Sequence, residues 1–344
     1  MLEKLTQQLT ATRPLADEQV LLAVEQLTDE KIPAAVKAGF LAALAQKGET
    51  PEEITAFARA LRDKSIQPPL DAETRTREIL DVVGTGGDRL STFNISTTVA
   101  LLCAAAGVTV AKHGNRAVTS SVGSADVVEE LGLKVDLSPV EAARSLREHN
   151  FAFFFAPRFH PAFKNIAPAR KLCAERGQPT IFNILGPLLN PARPSASLVG
   201  VPRPELCEPL ARALQLLGVR RGMVVCGLAE GKYLDELSTL GANHVAEFYP
   251  ERGLAVSSLS PENFPRQEAA LAALRGGDKS VNAEIIRRIF RGDERGPKRD
   301  AVLLNAAAAL FVAGKAKSLA EGWDSAAETI DSGKAAAKLA ELAC

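Results

Sequence analysis

Three stretches of this chain carry residue types that chemistry needs, and each follows a short apolar run. The first is "DVVGTGGDRLSTFNIST", from Asp81 to Thr97. Gly84, Thr85, Gly86 and Gly87 make a small-residue loop whose backbone N–H groups can approach an anion without Cβ interference. Asn94, Ser96 and Thr97 add side-chain partners where a helix begins, and a helix N-terminus favours an anion. The plainer reading is a tight turn followed by an ordinary helix cap. No Gly-Lys-Ser/Thr follows, so this is not a Walker A loop, and Arg89 breaks the Rossmann spacing. Asp88 would repel a phosphate unless it binds a sugar hydroxyl or a metal.

The second stretch is "KHGNRAVTSSVGSADVVEELG", Lys112 to Gly132. Lys112 can meet a phosphate as a point charge, while Asn115, Thr119 and Ser120 can position neutral oxygens. His113 is one of only four histidines, and its place among polar groups at a strand end favours a site over a surface role. Arg116 either faces a ligand or pairs with Asp126 to brace the loop, and both readings stay open. The third stretch is "LDELS", with Asp235 and Glu236. Adjacent acids are common on solvated helix faces. After a strand and a glycine-bearing loop, however, this pair suits Mg²⁺, which binds through carboxylates, waters and substrate phosphates. No Ser or Cys sits in a nucleophile elbow, so covalent catalysis has no support.

The elements that must carry these stretches are legible from periodicity. Residues 1–70 repeat apolar positions three and four apart and read as helices. Thr50 before Pro51-Glu52-Glu53 marks a helix start: a cap, a first-turn proline, then acids at the positive end. "IQPPLDAETRT" reads as a linker. Beyond it, "EILDVVG", "VTVAKHG", "FAFFFAP", "GMVVCG" and "HVAEFY" are short strands. Helical patterns such as "STTVALLCAAAG" and "SPVEAARSLREHN" lie between several of them. That alternation predicts an α/β fold, a small all-helical domain plus a larger domain with a mostly parallel central sheet. "KRDAVLLNAAAALFVAGKA" predicts a buried helix ending at Gly314.

Composition narrows the class. Forty-one basic residues balance forty-one acidic ones, which argues against a nucleic-acid partner. Five separated cysteines without a CxxC pair suit a reducing compartment better than a disulfide framework. No apolar run is long enough for a membrane span, and the early charges do not suit a signal peptide. A cytoplasmic protein is the expectation.

Together the motifs resemble one family closely, the anthranilate phosphoribosyltransferases of tryptophan biosynthesis. The resemblance runs in order through "GTGGD…TFNIST", "AKHGNR", "GSADVVEELG", "FAPRFHPAFKNIAPAR", "TIFNILGPLLNPA", "LDELS" and "GPKRDAVLLNAAAALFVAGKA". It implies transfer of phosphoribose from phosphoribosyl pyrophosphate (PRPP) to the amine of anthranilate, releasing pyrophosphate. It implies PRPP binding by Gly84, Thr85, Gly86, Gly87, Asp88, Asn94, Ser96, Thr97, Lys112, Thr119 and Ser120. Gly84, His113, Asn115 and Arg170 would receive anthranilate. Two Mg²⁺ ions would be held, one by Ser96 and Glu236, the other by Asp235 and Glu236. A homodimer through the helical domain is also implied, with that domain borrowing a segment around 165–190 and residues 71–344 forming the phosphoribosyl-binding domain.

Departures from the family pattern are local. Arg89 and Leu90 follow the loop aspartate where many relatives have a second glycine, and Ser121-Val122 replaces Lys-Ser. A pyrimidine-nucleoside phosphorylase of related fold is the nearest rival, but it has no use for a Mg²⁺-binding acid pair. A non-catalytic nucleic-acid-binding relative is a second rival, and the neutral charge disfavours it.

Overall fold

The computed structural model describes residues 1–117 and 122–343. Four helices open the chain: α1 (Leu2–Thr10), α2 (Asp17–Thr28), α3 (Ala34–Lys47) and α4 (Pro51–Asp63). Their apolar stripes meet at Leu9, Val24, Phe40, Leu44 and Phe57, all buried. The start of α4 is built as its sequence predicts. Thr50 Oγ1 accepts from Glu53 N at 3.2 Å, and Glu53 Oε2 accepts from Thr50 N at 2.9 Å. Glu53 is itself buried and also accepts from Leu15 N at 2.9 Å and Lys47 Nζ at 2.6 Å. One capping acid therefore ties α4 to α3 and to the α1–α2 connection. The expected linker is not wholly irregular: Asp71 caps a short helix, α5 (Ala72–Thr76), because its carboxylate accepts from Thr74 N at 2.7 Å.

The α/β portion follows as β1 (Ile79–Gly84), α6 (Ile95–Ala105), β2 (Thr109–Gly114), α7 (Ser124–Glu130), α8 (Pro139–His149), β3 (Phe151–Phe155), α9 (Ala156–Phe159) and α10 (Ala167–Glu175). It continues with β4 (Ala196–Gly200), α11 (Cys207–Leu216), β5 (Arg221–Ala229), β6 (Lys232–Leu234), β7 (Asn243–Tyr249) and β8 (Arg252–Leu259). Four helices end the chain: α12 (Lys279–Arg291), α13 (Pro297–Val312), α14 (Leu319–Asp331) and α15 (Lys334–Leu342). Strand order is β3-β2-β1-β4-β5-β7-β8, with β6 paired to β5. Pairings from β3 through β5 are parallel, whereas β6, β7 and β8 join antiparallel. β4 and β8 carry no strong strand signal. β4 is only five residues long, and β8 is a largely exposed edge without a continuous apolar run.

One sheet face, through Leu80, Val82, Val110, Phe153, Leu198 and Val225, packs under α6 and the alanine-rich α13. Gly314, at φ 70°, follows the end of α13. The opposite face, through Val199, Val224 and Phe248, shares a core with the four N-terminal helices and with Ile166, Ala169 and Cys173 of the α10 region. α10 itself packs on α3. Because β1 pairs with β2 on one side and β4 on the other, the chain leaves β1 at a reversal of strand order. Ligands bind at such points, beyond the carboxyl ends of the strands.

Candidate active site

The three motif stretches converge at that point. A cleft of about 530 Å³ is lined by the glycine loop, the start of α6, the end of β2 and the Asp235-Glu236 pair. The acid pair lies not on a helix but on the loop leaving β6, and it crosses directly over the ends of β1, β4 and β5. Gly84 and Gly200, at strand ends, and Gly227, two residues before the end of β5, permit this approach. A Cβ on Gly84 would stand 2.4 Å from Asp235 Oδ2, one on Gly200 would stand 1.6 Å from Asp235 O, and one on Gly227 would stand 2.6 Å from Glu236 O. Below the acids, Asn305 of α13 grips the loop, accepting from Leu237 N at 2.9 Å and donating to Leu237 O at 2.8 Å. Residue type and spacing alone do not single out Gly200, Gly227 or Asn305. A lone Asn inside "VLLNAAAALF" was the available signal, since a polar side chain in an apolar helix needs a buried partner.

The loop and the acids are hydrogen-bonded to each other. Gly86 N donates to Asp235 Oδ2 at 2.7 Å, and Ser96 N, in the first turn of α6, donates to Glu236 Oε1 at 3.1 Å. Gly86 and Gly87 have φ of 74° and 92°, so their small side is used conformationally as well as for access. Thr85 N anchors the loop by donating to Gly200 O at 2.9 Å. Asn94 Oδ1 accepts from Asn282 Nδ2 at 3.0 Å, which ties the start of α6 to α12. Thr97 is fully buried, with its hydroxyl unpartnered among the described residues.

Electrostatically the cleft is poised rather than neutralised. Burial, then the facing carboxylates of Asp88 and Glu236, hold Asp235 well above the ordinary carboxylate range. Burial likewise pushes Glu236 to about 7, although Lys112 and Ser96 oppose the shift. Asp88 Oδ2 is buried without a partner among the described residues. Lys112 lies almost fully buried in β2, its Nζ donating to Val82 O at 2.7 Å. Burial lowers its pKa while Asp81 and Glu236 raise it. It therefore underlies the acids as a fixed counter-charge instead of reaching freely across the cleft.

Three carboxylates with one lysine beneath, beside a serine hydroxyl, form a hard oxygen set that a divalent cation would relieve. Among the described residues no three His, Cys, Asp or Glu side chains close into a metal cage. The residues thus fit an ion that completes its shell with water and ligand phosphate, as Mg²⁺ does.

The acceptor candidates divide. His113 and Asn115 line the cleft. His113 Nδ1 lies 3.3 Å from Gly186 O, so that nitrogen carries the proton and Nε2 keeps its lone pair, buried and without a partner among the described residues. Burial, then His160, pushes His113 down to about 3, so the ring is neutral at physiological pH. Arg170 is not a wall of the cleft. It lies on α10 with its guanidinium 5.4 Å above the Phe182 ring. A file of ring contacts, His113–His160, His160–Phe163 and Phe163–Phe182, leads from the cleft to it. Arg116 pairs with Asp126 at 2.8 Å and Glu129 at 2.9 Å and so braces the loop. Thr119 and Ser120 lie outside the described residues.

Residues 2–65 match the helical bundle domain, and residues 76–336 the a/b domain, of a glycosyl transferase family. The chain is 48% identical over 328 residues to the anthranilate phosphoribosyltransferase of Petrotoga mobilis, covering 95% of this chain and 92% of that one. It is 45% identical to the Geobacter sulfurreducens enzyme of the same name, covering 99% and 98%. The chain belongs to the anthranilate phosphoribosyltransferase family.

Solved structures of anthranilate phosphoribosyltransferases agree in fold. The Thermus thermophilus crystal structure is 41% identical and superposes with a TM-score of 0.89 over 98% of both chains. The Saccharomyces cerevisiae enzyme, in a structure described as a complex with PRPP and Mg, is 27% identical with a TM-score of 0.87, covering 99% of this chain and 96% of that one. Neither a phosphorylase nor a nucleic-acid-binding relative is favoured. Among the described residues, no helix is long and apolar enough to cross a membrane.

Proposed function

We propose that the chain transfers phosphoribose from PRPP to anthranilate with Mg²⁺, through the cleft at the β1 reversal. The observation that carries this reading is the closure of the acid loop onto the glycine loop and the α6 N-terminus, which joins cation ligands to anion donors in one wall. In it, the N–H groups of Gly86 and Gly87 and the first turn of α6, with Asn94, Ser96 and Thr97, bind the phosphates of the donor. Thr85, Thr119 and Ser120 add hydroxyls, and Asp88 takes ribose hydroxyls or a metal-bound water. Ser96 and Glu236 would hold one Mg²⁺, and Asp235 and Glu236 a second. When bound, these ions neutralise charge on the leaving pyrophosphate.

The remaining work falls to position and charge. The amine nitrogen bonds to C1 of the ribose as the bond from C1 to the pyrophosphate oxygen breaks, inverting the carbon, and the surplus proton on nitrogen leaves to water or to the released pyrophosphate. Developing charge on the leaving oxygens meets preorganised N–H donors. Gly84, His113 and Asn115 receive anthranilate, and the neutral His113 presents its Nε2 lone pair to the amine. Arg170, at the far end of the ring file, steers the carboxylate inward. No side chain is required as nucleophile.

A homodimer through the helical domain and a cytoplasmic location belong to the same proposal. Leu21 and Leu22 of α2 are 49% and 40% exposed and offer that domain an apolar surface to bury. Among the described residues, four free, buried cysteines suit a reducing compartment. The deciding experiment follows anthranilate fluorescence on mixing with PRPP and Mg²⁺. Steady loss of signal that stops on chelation supports the reading, and no consumption would sink it.

A further inference from the structure

Arg89 has no work in the site described so far. It follows Asp88 at φ 58°, and Ser91 has φ 56°, both left-handed conformations that glycine adopts at lower cost. The shape is imposed from the side away from the acids. Gly276 N donates to Ser91 O at 3.0 Å, and Phe93 N donates to Leu274 O at 3.1 Å. Thr92 also bridges Arg275, and Leu271 N donates to Glu230 Oε1 at 2.9 Å in the β5–β6 turn. Three segments are thereby tied around a second pocket of about 240 Å³.

Its charged lining is Arg89, Lys232, Arg275 and Glu230, three cations against one carboxylate. Glu230 is already engaged with Leu271 N. Among the described residues no carboxylate lies within ion-pair distance of the three cations, whereas Arg220, Arg221 and Arg252 each pair with a glutamate. Arg89 and Ser91 also line the large cleft, so the two spaces share a wall. The inner cleft sets Asp88, Asp235 and Glu236 against the buried Lys112 and against Arg116, which is already paired with Asp126 and Glu129. An oligophosphate without its metal would therefore be drawn outward, where a guanidinium can fork onto two of its oxygens.

We propose that Arg89, Lys232 and Arg275 form a second anion subsite, which takes pyrophosphate at the mouth of the donor cleft. The transferase reading supplies the source of that pyrophosphate, and the cations supply the reason it lodges there. The side chain of Arg89 thus compensates for a backbone position better suited to glycine.

The test is isothermal titration of inorganic pyrophosphate into the metal-free protein and three variants. Arg89→Gly, which relieves the left-handed strain and should melt no lower than wild type, is expected to weaken binding roughly tenfold. Lys232→Ala with Arg275→Ala should do the same, and Arg89→Lys should recover part of the loss. Unchanged affinity in Arg89→Gly and in the double variant would overturn the subsite. Anthranilate consumption by wild type is measured in parallel. An inactive wild type whose variants still lose pyrophosphate would count against the transferase reading and leave the subsite standing. An active wild type with unaltered variants would remove the subsite alone.

Discussion

The backbone N–H of Gly86 donates to Oδ2 of Asp235 at 2.7 Å, joining residues 149 positions apart in the chain. The bond makes one wall of two motifs, and it places an anion where the proposed phosphate would bind. Occupation of the cleft must exchange that contact, so Asp235 is built to change partner. Burial and neighbouring acids keep its pKa high, which makes its charge costly until a cation arrives.

Asp235→Asn combined with Glu236→Gln should therefore separate activity from stability. Turnover is expected to fall by roughly a hundredfold or more, because charge on the leaving group loses its cation. The melting temperature should hold or rise, since neutral isosteres remove desolvated charge. Steady-state kinetics at limiting Mg²⁺ and thermal melts check both. Wild-type kcat in the double variant would remove these acids from the metal site.

Much of this arrangement is visible in the sequence, and what is not has physical causes. The Gly84–Gly87 loop and the Thr50 cap announce themselves because each needs a residue type that local structure alone demands, and the acid pair stands out because it follows a strand and a glycine-bearing loop. Gly200 and Gly227 do not, because their smallness is required by a loop that approaches from elsewhere in the chain. Arg170 is legible as a family residue, but its place over Phe182, at the end of a file of ring contacts that starts at His113, is a property of packing. β8 escapes because an exposed edge strand lacks the apolar run by which buried strands are read.

Glycine substitutions should expose that difference. Gly200→Ala puts a methyl 1.6 Å from the backbone oxygen of Asp235, which cannot turn away as a flexible side chain can. Overpacking of this kind costs about 1–3 kcal/mol or more and should appear as a lowered urea midpoint together with lost activity. Gly86→Ala meets nothing within 4 Å but has φ 74°, so its cost is local, about 1–2 kcal/mol of loop strain. Its midpoint should fall less than that of Gly200→Ala, while PRPP binding weakens. Equal midpoints would contradict the close approach.

Glu236 also gives the fold a pH dependence of known sign. Its pKa rises from 4.5 to about 7 on folding. A carboxyl raised in this way stabilises the fold fully below the lower value, and that contribution is lost as pH climbs through the upper one. Glu236→Gln lacks the term and also removes one cause of Asp235's raised pKa, a change of the same sign, whereas Asp81 and the two buried histidines are common to both proteins. The urea midpoint of wild type minus that of Glu236→Gln should therefore fall between pH 4.5 and 7. A difference that stays constant across the window would show that Glu236 is ionised throughout.

His113 permits a sharper separation between orienting and proton-transfer roles. Burial and His160 hold its pKa near 3, and its Nδ1–H is engaged with Gly186 O at 3.3 Å. A ring that stays neutral through the physiological range cannot generate a limb near its ordinary pKa, yet its free Nε2 can accept from an amine. His113→Phe keeps a planar ring and removes that acceptor. The KM for anthranilate should rise about tenfold, in line with roughly 1.4 kcal/mol for one lost hydrogen bond, while the KM for PRPP holds. Protonation of Glu236 at limiting Mg²⁺ should give an acidic limb near 7, and that limb should persist in the variant. A limb that vanishes with the imidazole would instead make His113 the titrating base, and an unchanged KM for anthranilate would place the acceptor amine elsewhere.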